Sequence, residues 1–301
     1  MGPKLFQFFI SSLLSSLLVA IFLPLLRRKF LDTPNLRSSH ITPTPRGGGI
    51  AFVLIGTLTN YMFSTGIIRW IPIICLPIAV IGIIDDYIDL PAVWRYLAQF
   101  LTAIILVYVS KVDIPIWGIP ICILMITAVI NFMNFMDGLD GIVAGCSVLL
   151  FAAASSWSIS GAIFGFLLWN WSPAKVFMGD VGSTYIGAVY AGLLLQQKSS
   201  EEALSLLLIS FPLLADPAIC VIRRLYDQQD IFSAHRLHLY QRLHQAGWSH
   251  GMVALTYTFA VLILAILNAL GGLPWLVVGI FLELLLGIFL ENSVATSFKD
   301  S

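Results

Sequence analysis

Apolar segments of about twenty residues recur along this 301-residue chain, and short polar stretches separate them. A helix needs a run of that length to cross the hydrocarbon core of a bilayer. The pattern predicts an all-α fold, a polytopic transmembrane helical bundle of about 10–11 spans. Apart from residues 142–171, the predicted spans cover residues 5–26, 48–64, 68–84, 93–110, 115–133, 182–197, 203–222, 251–270 and 273–290.

Residues 142–171 are too few for two ordinary spans and a turn, yet one span would place the next loop, SPAKVFMGDVGS, on the opposite side. The polar break in this region is SSWSISG, residues 155–161. We therefore expect a hairpin of two short helices, which returns the chain to the side where the hairpin starts.

The distribution of Lys and Arg gives the orientation of the bundle. Arg27, Arg28 and Lys29 follow the first span, which predicts an external N-terminus and a cytoplasmic loop after it. With the hairpin in place, twelve of the 16 Lys and Arg residues fall on the cytoplasmic side. No internal repeat or linker is visible, so we expect a single domain over residues 1–301. We also expect the protein to lie in the plasma (inner) membrane.

Composition agrees with a membrane protein and excludes several function classes. The chain is 58% hydrophobic and 11% charged, with a mean hydropathy of +0.92. Its formal net charge is zero, so charge gives no argument for nucleic acid as a partner. The four cysteines lie within apolar runs and lack metal-binding spacing, which argues against disulfides and a zinc site. We interpret them as packing residues.

The stretch NFMNFMDGLDG follows an unbroken apolar run, where lipid-facing amides and acids would be unfavourable. On a continuing helix Asn131, Asn134, Gly138 and Gly141 would share one side, with Asp137 at its margin. That side could hold a cation. The alternative is a polar helix end, because Asp-Gly is a common turn dipeptide.

Six acids flanked by apolar residues lie in predicted cytoplasmic loops: Asp85, Asp86, Asp89, Asp137, Asp140 and Asp180. An Asp at the bilayer centre costs about 2.5 to 3.5 kcal/mol, so these groups need water or a cation. Carboxylate and amide oxygens suit Mg²⁺ or Mn²⁺, and Mg²⁺ usually completes its shell with water and phosphates. The pattern therefore implies a phosphorylated ligand. The Arg and His residues of the loop FSAHRLHLYQRLH would pair with its oxygens.

Five motifs together carry a resemblance to a known family. The chain contains PNxRSSHxxPTPRGGG, DDxxDL, NxxNxxDGxDG, FMGDxGS and HRxH in this order. The set resembles the polyprenyl-phosphate N-acetylhexosamine-1-phosphate transferases of glycosyltransferase family 4, over nearly the whole chain. The resemblance implies Mg²⁺-dependent transfer of sugar-1-phosphate from a UDP-sugar to polyprenyl (undecaprenyl) phosphate, with release of UMP. It also implies a role in the first membrane step of envelope polysaccharide or O-antigen assembly.

The same resemblance assigns roles to individual residues. Asp85 and Asp86 look like the essential aspartate pair, and Asn131 and Asp180 look like the metal-binding positions. The remaining candidates look like substrate contacts: Asn134, Asp137 and Asp140 on the nucleotide side, and His235, Arg236 and His238 at the diphosphate and sugar.

The chain also departs from the family pattern. The positions after His238 read Leu239, Tyr240 and Gln241, where the UDP-N-acetylglucosamine enzymes and the peptidoglycan enzyme carry further histidines. The run HRLHLYQRL resembles more closely the branch that transfers deoxy-N-acetylamino sugars for O-antigen. The interval between DGLDG and FMGD is also shorter than the family leads us to expect. The sequence leaves open which hexosamine is used, the polyprenyl length and whether a homodimer forms.

Two other classes compete with this interpretation. Intramembrane acids often mark ion paths in transporters, and Glu283 lies inside the last predicted span. The other acids gather at one face, however, and not at the midplane. The CDP-alcohol phosphotransferases also use aspartates and Mg²⁺, but they carry a DGxxAR pattern that DGLDGIVAG does not match.

Overall fold

The computed structural model describes residues 2–34, 39, 42–230 and 235–298. Parts of two sequence motifs lie outside the described residues, namely most of NLRSSHI in the first loop and IFSA before the HRLH motif. Lys299, which contributes to the predicted orientation, lies outside them as well.

Helices dominate the described residues, together with one short antiparallel ribbon in which β1 (Leu31–Asp32) pairs with β2 (Thr44–Pro45). The helices are α1 (Pro3–Lys29), α2 (Ile50–Phe63), α3 (Ile71–Ile74), α4 (Leu76–Ile88), α5 (Ala92–Ser110), α6 (Gly118–Phe135), α7 (Ile142–Ala153), α8 (Trp157–Asn170), α9 (Asp180–Leu194), α10 (Ser200–Ile209), α11 (Phe211–Tyr226), α12 (Leu239–Gln245) and α13 (His250–Ser293).

Within the described ranges, four helices are long and apolar enough to cross a membrane, namely α1, α5, α6 and α13. The pair α10 and α11, bent by 73°, makes a fifth if it is counted as one span. The 44-residue α13 breaks at Gly272, whose φ is 64°, so it consists of two segments, as the sequence predicts. The all-α polytopic class is confirmed, whereas the number of crossings and the external N-terminus stay predictions.

Three predicted elements differ from the structure, and each difference has a local cause. The expected span over residues 203–222 bends at Ser210, because Pro212 lacks the N–H that a continuous helix would need. The expected span over residues 68–84 is divided into a 3₁₀ turn, α3 and α4, the two helices each starting next to a proline. Helix α6 ends at Phe135, so Gly138 and Gly141 lie in a turn and not on the helix side of Asn131.

The predicted hairpin of short helices is confirmed. Helices α7 and α8 pack against each other and are joined by the short turn around Ser155. Two hydrogen bonds join the far end of α8 to the start of the hairpin. The Gly141 N–H donates to Asn170 Oδ1 at 3.1 Å, and the Ala174 N–H donates to Asp140 Oδ2 at 3.1 Å. The chain thus returns to the DGLDG turn from which it left.

Helix α9 forms the centre of the molecule. All of residues 181–193 are buried, and α4, α6, α2 and α5 pack around this helix. Its first residue is Asp180, which follows Gly179 of the FMGD motif. The fold therefore places one of the predicted metal ligands at the N-terminus of its most enclosed helix.

Candidate active site

Asp86 fixes the N-terminus of α9. Its Oδ1 accepts a hydrogen bond from the Asp180 N–H at 3.0 Å, and its Oδ2 accepts one from the Val181 N–H at 3.3 Å. The first N–H groups of a helix have no partner within the helix, and the positive end of the helix dipole favours a carboxylate there. Asp86 is only 4% exposed. It therefore joins α4 to α9 and determines where the Asp180 side chain lies.

Gly82 allows this contact between α4 and α9. A Cβ atom at position 82 would lie 2.5 Å from the Val181 nitrogen and 2.6 Å from the Asp180 carbonyl carbon. Those neighbours are backbone atoms at a capped helix end, so they cannot move aside as a flexible side chain could. The absence of a side chain at Gly82 is what lets Asp86, one turn later on α4, reach the end of α9.

Asp85 and Asp180 converge on Arg95 at the start of α5. The Arg95 Nη1 lies 3.3 Å from Asp85 Oδ2 and 3.5 Å from Asp180 Oδ2. Side-chain exposure is 8% for Asp85 and 26% for Asp180, whereas Arg95 is 40% exposed. Asp180 Oδ2 is buried and has no hydrogen-bond partner. A carboxylate oxygen of this kind, beside other acids, has capacity for a cation.

The Pro/Gly loop packs against the FMGD motif through its backbone. The Gly48 N–H donates to Phe177 O and the Gly49 N–H to Met178 O, both at 2.9 Å. A Cβ atom at Gly49 would lie 2.6 Å from Gly182 Cα, so this position has no room for a side chain. The triple glycine therefore brings the neighbouring Arg46 to the end of α4, where its Nη2 lies 3.1 Å from Asp89 Oδ1.

The two asparagines of NFMNFMDGLDG lie at the end of α6 and contact neighbouring helices. Asn134 Oδ1 accepts a hydrogen bond from Ser183 Oγ on α9 at 2.6 Å. Asn131 Oδ1 accepts a longer one, at 3.4 Å, from Gln99 Nε2 on α5. Both predicted residues therefore border the first turn of α9 or the helix beside it.

Asp137 lies in the turn after α6 and faces the same acids. Burial raises the pKa of Asp137 well above its usual range, and the charges of Asp180, Asp86 and Asp140 raise it further, whereas a hydrogen bond from the Gly179 backbone opposes the shift. The surplus of acids at this place means that a bound cation would be stabilised there.

The Asp140 carboxylate contacts two other segments of the chain. Its Oδ2 accepts the Ala174 N–H, and its Oδ1 lies 3.2 Å from His250 Nδ1 at the start of α13. Asp140 is 8% exposed. These contacts give Asp140 a role in joining the hairpin to α13.

The HRLH loop reaches the turn after α6 through aromatic packing. The His238 ring lies 6.0 Å from the Phe135 ring and 5.7 Å from the Tyr240 ring, with which it is stacked. The Tyr240 hydroxyl donates to Phe135 O at 2.9 Å. The last predicted motif is therefore brought next to NFMNFMDGLDG, as the sequence predicts.

Asp216 of α11 anchors the start of α12. Its carboxylate accepts hydrogen bonds from the Leu239 N–H at 2.8 Å and the Tyr240 N–H at 3.0 Å, and from the Tyr257 hydroxyl at 2.6 Å. His238 Nδ1 lies 3.7 Å from Asp216 Oδ1. His238 is 4% exposed, so its ring supports the loop from within.

Arg236 and His235 are more accessible than His238. In the described part of the chain, the Arg236 Nε is buried without a hydrogen-bond partner, so this cation has capacity for an anion. Burial lowers the pKa of His235 to about 4, and the neighbouring His238 and Arg224 lower it as well. His235 is therefore a neutral imidazole at neutral pH.

The acids offer few direct ligands to any one ion. Among the residues that the structure describes, no three carboxylates each bring an oxygen within 4.8 Å of the others. Mg²⁺ commonly uses one or two carboxylates and completes its octahedral shell with water and phosphate oxygens. Asp180, whose Oδ2 has an ion pair with Arg95 but no hydrogen bond, fits that requirement.

Sequence reasoning missed two residues of this region. Arg95, which joins two of the three clustered acids, was only one of the twelve Lys and Arg residues counted on the cytoplasmic side in the sequence analysis. Its position a few residues after the DDxxDL motif could have indicated a contact with the acids of that motif. Asp216 was overlooked although an acid in an otherwise apolar predicted span is itself a sign of a buried role.

Fold and site together define a helical membrane protein with an acid cluster and a basic loop at one end of the bundle. The model of glycosyl transferase family 4 matches residues 68–198, which include the acid motifs from DDxxDL to FMGD. This chain belongs to that family, the superfamily of the polyprenyl-phosphate N-acetylhexosamine-1-phosphate transferases.

Several relatives align over most of the chain. The probable undecaprenyl-phosphate N-acetylglucosaminyl 1-phosphate transferase of Bacillus subtilis is 29% identical, over 85% of this chain and 82% of that relative. The decaprenyl-phosphate N-acetylglucosaminephosphotransferase of Mycobacterium tuberculosis is 30% identical, over 74% and 70%. The phospho-N-acetylmuramoyl-pentapeptide-transferase of Caldanaerobacter subterraneus is 30% identical, over 73% and 81%.

Proposed function

We propose that this protein transfers N-acetylhexosamine-1-phosphate from a UDP-sugar to polyprenyl (undecaprenyl) phosphate and releases UMP. The product, a polyprenyl-diphospho-sugar, would begin envelope polysaccharide assembly at the cytoplasmic face of the inner membrane. One observation carries the proposal: Asp85, Asp86 and Asp180 meet at the N-terminus of α9 in a family 4 chain. Acids gathered at one end of the bundle argue for the transferase and against a transporter, whose ion sites lie near the midplane.

Asp180 and Asn131 are the proposed protein ligands of a divalent cation, Mg²⁺ or Mn²⁺. The Asp180 Oδ2 atom, which has an ion pair with Arg95 but no hydrogen bond, supports this role, and the weak hydrogen bond to Asn131 leaves the amide oxygen free for a second contact. When bound, such a cation would neutralise phosphate charge and help to align two phosphates. Arg95 is 40% exposed, so it can move away when a cation or phosphate approaches the acids.

The donor is proposed to lie between the turn after α6 and the HRLH loop. Asn134 and Asp137 would contact its nucleotide, and His235 and Arg236 its diphosphate and sugar. Asp140 and His238 are the other predicted contacts, and both have partners within the chain. We propose that they hold these two segments in place, with any direct contact to the donor restricted to their exposed edges.

The acceptor phosphate attacks the donor directly in this mechanism. A phosphate monoester has its second pKa near about 6, so the acceptor is largely a dianion at neutral pH. Its oxygen forms a bond to the donor's β-phosphorus, and the bond from that phosphorus to the bridging oxygen breaks, leaving the electron pair on UMP. We propose that Asp85, whose Oδ2 lies 3.3 Å from Arg95, orients or deprotonates the acceptor. Asp86 is a positioning residue, since both its oxygens accept backbone N–H groups.

An exchange experiment separates direct attack from a covalent aspartyl-phosphate intermediate. In enzyme stripped of polyprenyl phosphate, we expect labelled UMP not to enter UDP-sugar, because direct attack needs both substrates together. Adding polyprenyl phosphate should start the exchange, since one phosphoanhydride is converted into another and the reaction is nearly balanced. Rapid exchange without lipid would mean that Asp85 or Asp86 is a nucleophile.

Arg236→Lys is expected to raise the donor KM by about tenfold and to leave the lipid KM unchanged. Lysine keeps the charge but loses the planar fork that binds phosphate oxygens in pairs, and a hydrogen bond to a charged group contributes about 1.5–3 kcal/mol. Steady-state kinetics with each substrate varied in turn measures both constants. Arg69→Lys, on the predicted external side, is the matched control. An unchanged donor KM and kcat in Arg236→Lys would place the HRLH loop outside the donor site.

The identity of the sugar is a separate question. The HRLHLYQRL run supports a deoxy-N-acetylamino sugar of the O-antigen or lipopolysaccharide type, whereas the names of the relatives specify N-acetylglucosamine or N-acetylmuramoyl-pentapeptide donors. A panel of labelled UDP-N-acetyl sugars, offered to the purified protein with polyprenyl phosphate, distinguishes these donors by the rate at which label enters lipid.

A further inference from the structure

Cys220 of α11 lies beside both histidines of the HRLH loop. Cys220, His235 and His238 each offer one ligand atom, and these three atoms lie within 4.8 Å of one another. The two imidazole rings are 4.9 Å apart. Cys220 and His238 are 2% and 4% exposed, whereas His235 is half-buried. The cluster is thus closed on the side of α11 and accessible on the side of His235.

The three side chains are the ligands of a borderline-soft metal ion. Zn²⁺ binds a cysteine thiolate at about 2.3 Å and a histidine nitrogen at about 2.0–2.1 Å in tetrahedral geometry. Ligand atoms around such an ion are roughly 3.3–3.7 Å apart, so the cluster has to contract by only about 1 Å. The half-buried His235 can make this movement, since its one described polar contact is a long hydrogen bond of 3.3 Å from the Leu237 N–H.

Asp216 provides the outer support that histidine ligands of metals usually have. Its Oδ1 lies 3.7 Å from His238 Nδ1, and both side chains are buried. A carboxylate on one ring nitrogen orients the imidazole and makes its other nitrogen a better ligand. Hydrogen bonds from Leu239, Tyr240 and Tyr257 fix the Asp216 carboxylate.

We propose that Cys220, His235 and His238 form a Zn²⁺ site distinct from the acid cluster. Three protein ligands leave a fourth position for water on the accessible side. The ion links the HRLH loop to α11 and binds His235. In the proposed function, on which this step rests, His235 contacts the donor. Zinc binding at this site therefore raises the KM for the donor, which makes the site a regulatory one.

Cobalt binding tests the site without any substrate, so its outcome does not depend on the proposed function. We expect the purified full chain in nanodiscs to bind one equivalent of Co²⁺ and to show thiolate-to-cobalt charge-transfer absorption. Cys220→Ser should abolish this absorption and weaken Co²⁺ binding by about tenfold or more. Cys146→Ser, which changes a buried cysteine of α7, is the matched control and should behave as the wild type. Absence of the absorption, or its survival in Cys220→Ser, would overturn the proposal.

His235→Gln provides a second variant in case Cys220→Ser does not fold. This change lies at the accessible side of the cluster and should weaken Co²⁺ binding by a similar factor. In donor kinetics, added Zn²⁺ should raise the wild-type KM several-fold and have little effect on Cys220→Ser. Unchanged Co²⁺ affinity in His235→Gln would refute the ligand set. Equal zinc inhibition of wild type and Cys220→Ser would refute the regulatory role.

Discussion

Asp180→Asn is expected to lower kcat for sugar-phosphate transfer on the order of a thousandfold, the scale of losing one preorganised electrostatic contact at a reacting centre. The change removes the negative charge of the Asp180 carboxylate at the N-terminus of α9, whose Oδ2 has no hydrogen bond. It retains the size of the side chain and does not touch the Asp180 N–H, to which Asp86 is bonded. Folding should therefore be preserved while transfer is lost.

Transfer rates at saturating donor and lipid, together with thermal unfolding curves, check this expectation. Asp113→Asn, which alters an exposed acid between α5 and α6, is the control and should keep both kcat and the melting temperature. Full metal-dependent turnover by Asp180→Asn would remove Asp180 from the proposed metal site.

Gly82→Ala is expected to lower kcat by about a hundredfold and to destabilise the protein by about 1–3 kcal/mol. The added Cβ would meet the α9 backbone at 2.5 Å, and overpacking of this kind costs that amount. Separation of α4 from α9 would pull Asp86 from the N–H groups that it caps. A misplacement of about 1 Å at a reacting centre can cost a hundredfold in rate.

Gly56→Ala on α2 provides a matched comparison for Gly82→Ala. A Cβ atom at Gly56 would lie 3.5 Å from Ala162 Cβ, which is an ordinary contact, so activity and stability should hold. Transfer rate and thermal unfolding measure both variants. Wild-type activity in Gly82→Ala would show that the close contact of α4 and α9 is not needed to assemble the site.

Much of the fold was predictable because membrane spans are determined by composition along the chain. The hairpin in residues 142–171 followed from the length of the segment, its polar break and the need to bring FMGD back to the side of DGLDG. The bend at Ser210 was missed because the hydropathy of the segment is continuous across it. The proline at position 212 could have predicted the bend.

The candidate site was predictable as a set of residues but not as an arrangement. The predicted topology puts the acid motifs on one side of the membrane, and in the structure Asp85, Asp86 and Asp180 do meet. Sequence spacing does not reveal that Asp86 caps α9 or that Arg95 joins two acids. For the same reason the cysteines looked like packing residues, although Cys220 lies beside two histidines that follow it in a later loop. Such contacts depend on helix packing and not on local pattern.

The most direct test of the account is transfer by purified protein in detergent, where no compartments exist and transport cannot occur. The donor is a UDP-N-acetyl sugar labelled in both the sugar and the β-phosphate, and the acceptor is polyprenyl phosphate with a divalent cation. The account predicts that both labels enter lipid in equal amounts, with one UMP released for each product, and that Asp180→Asn gives none. Entry of the sugar label without the phosphate label, or no entry from any UDP-N-acetyl sugar, would contradict it.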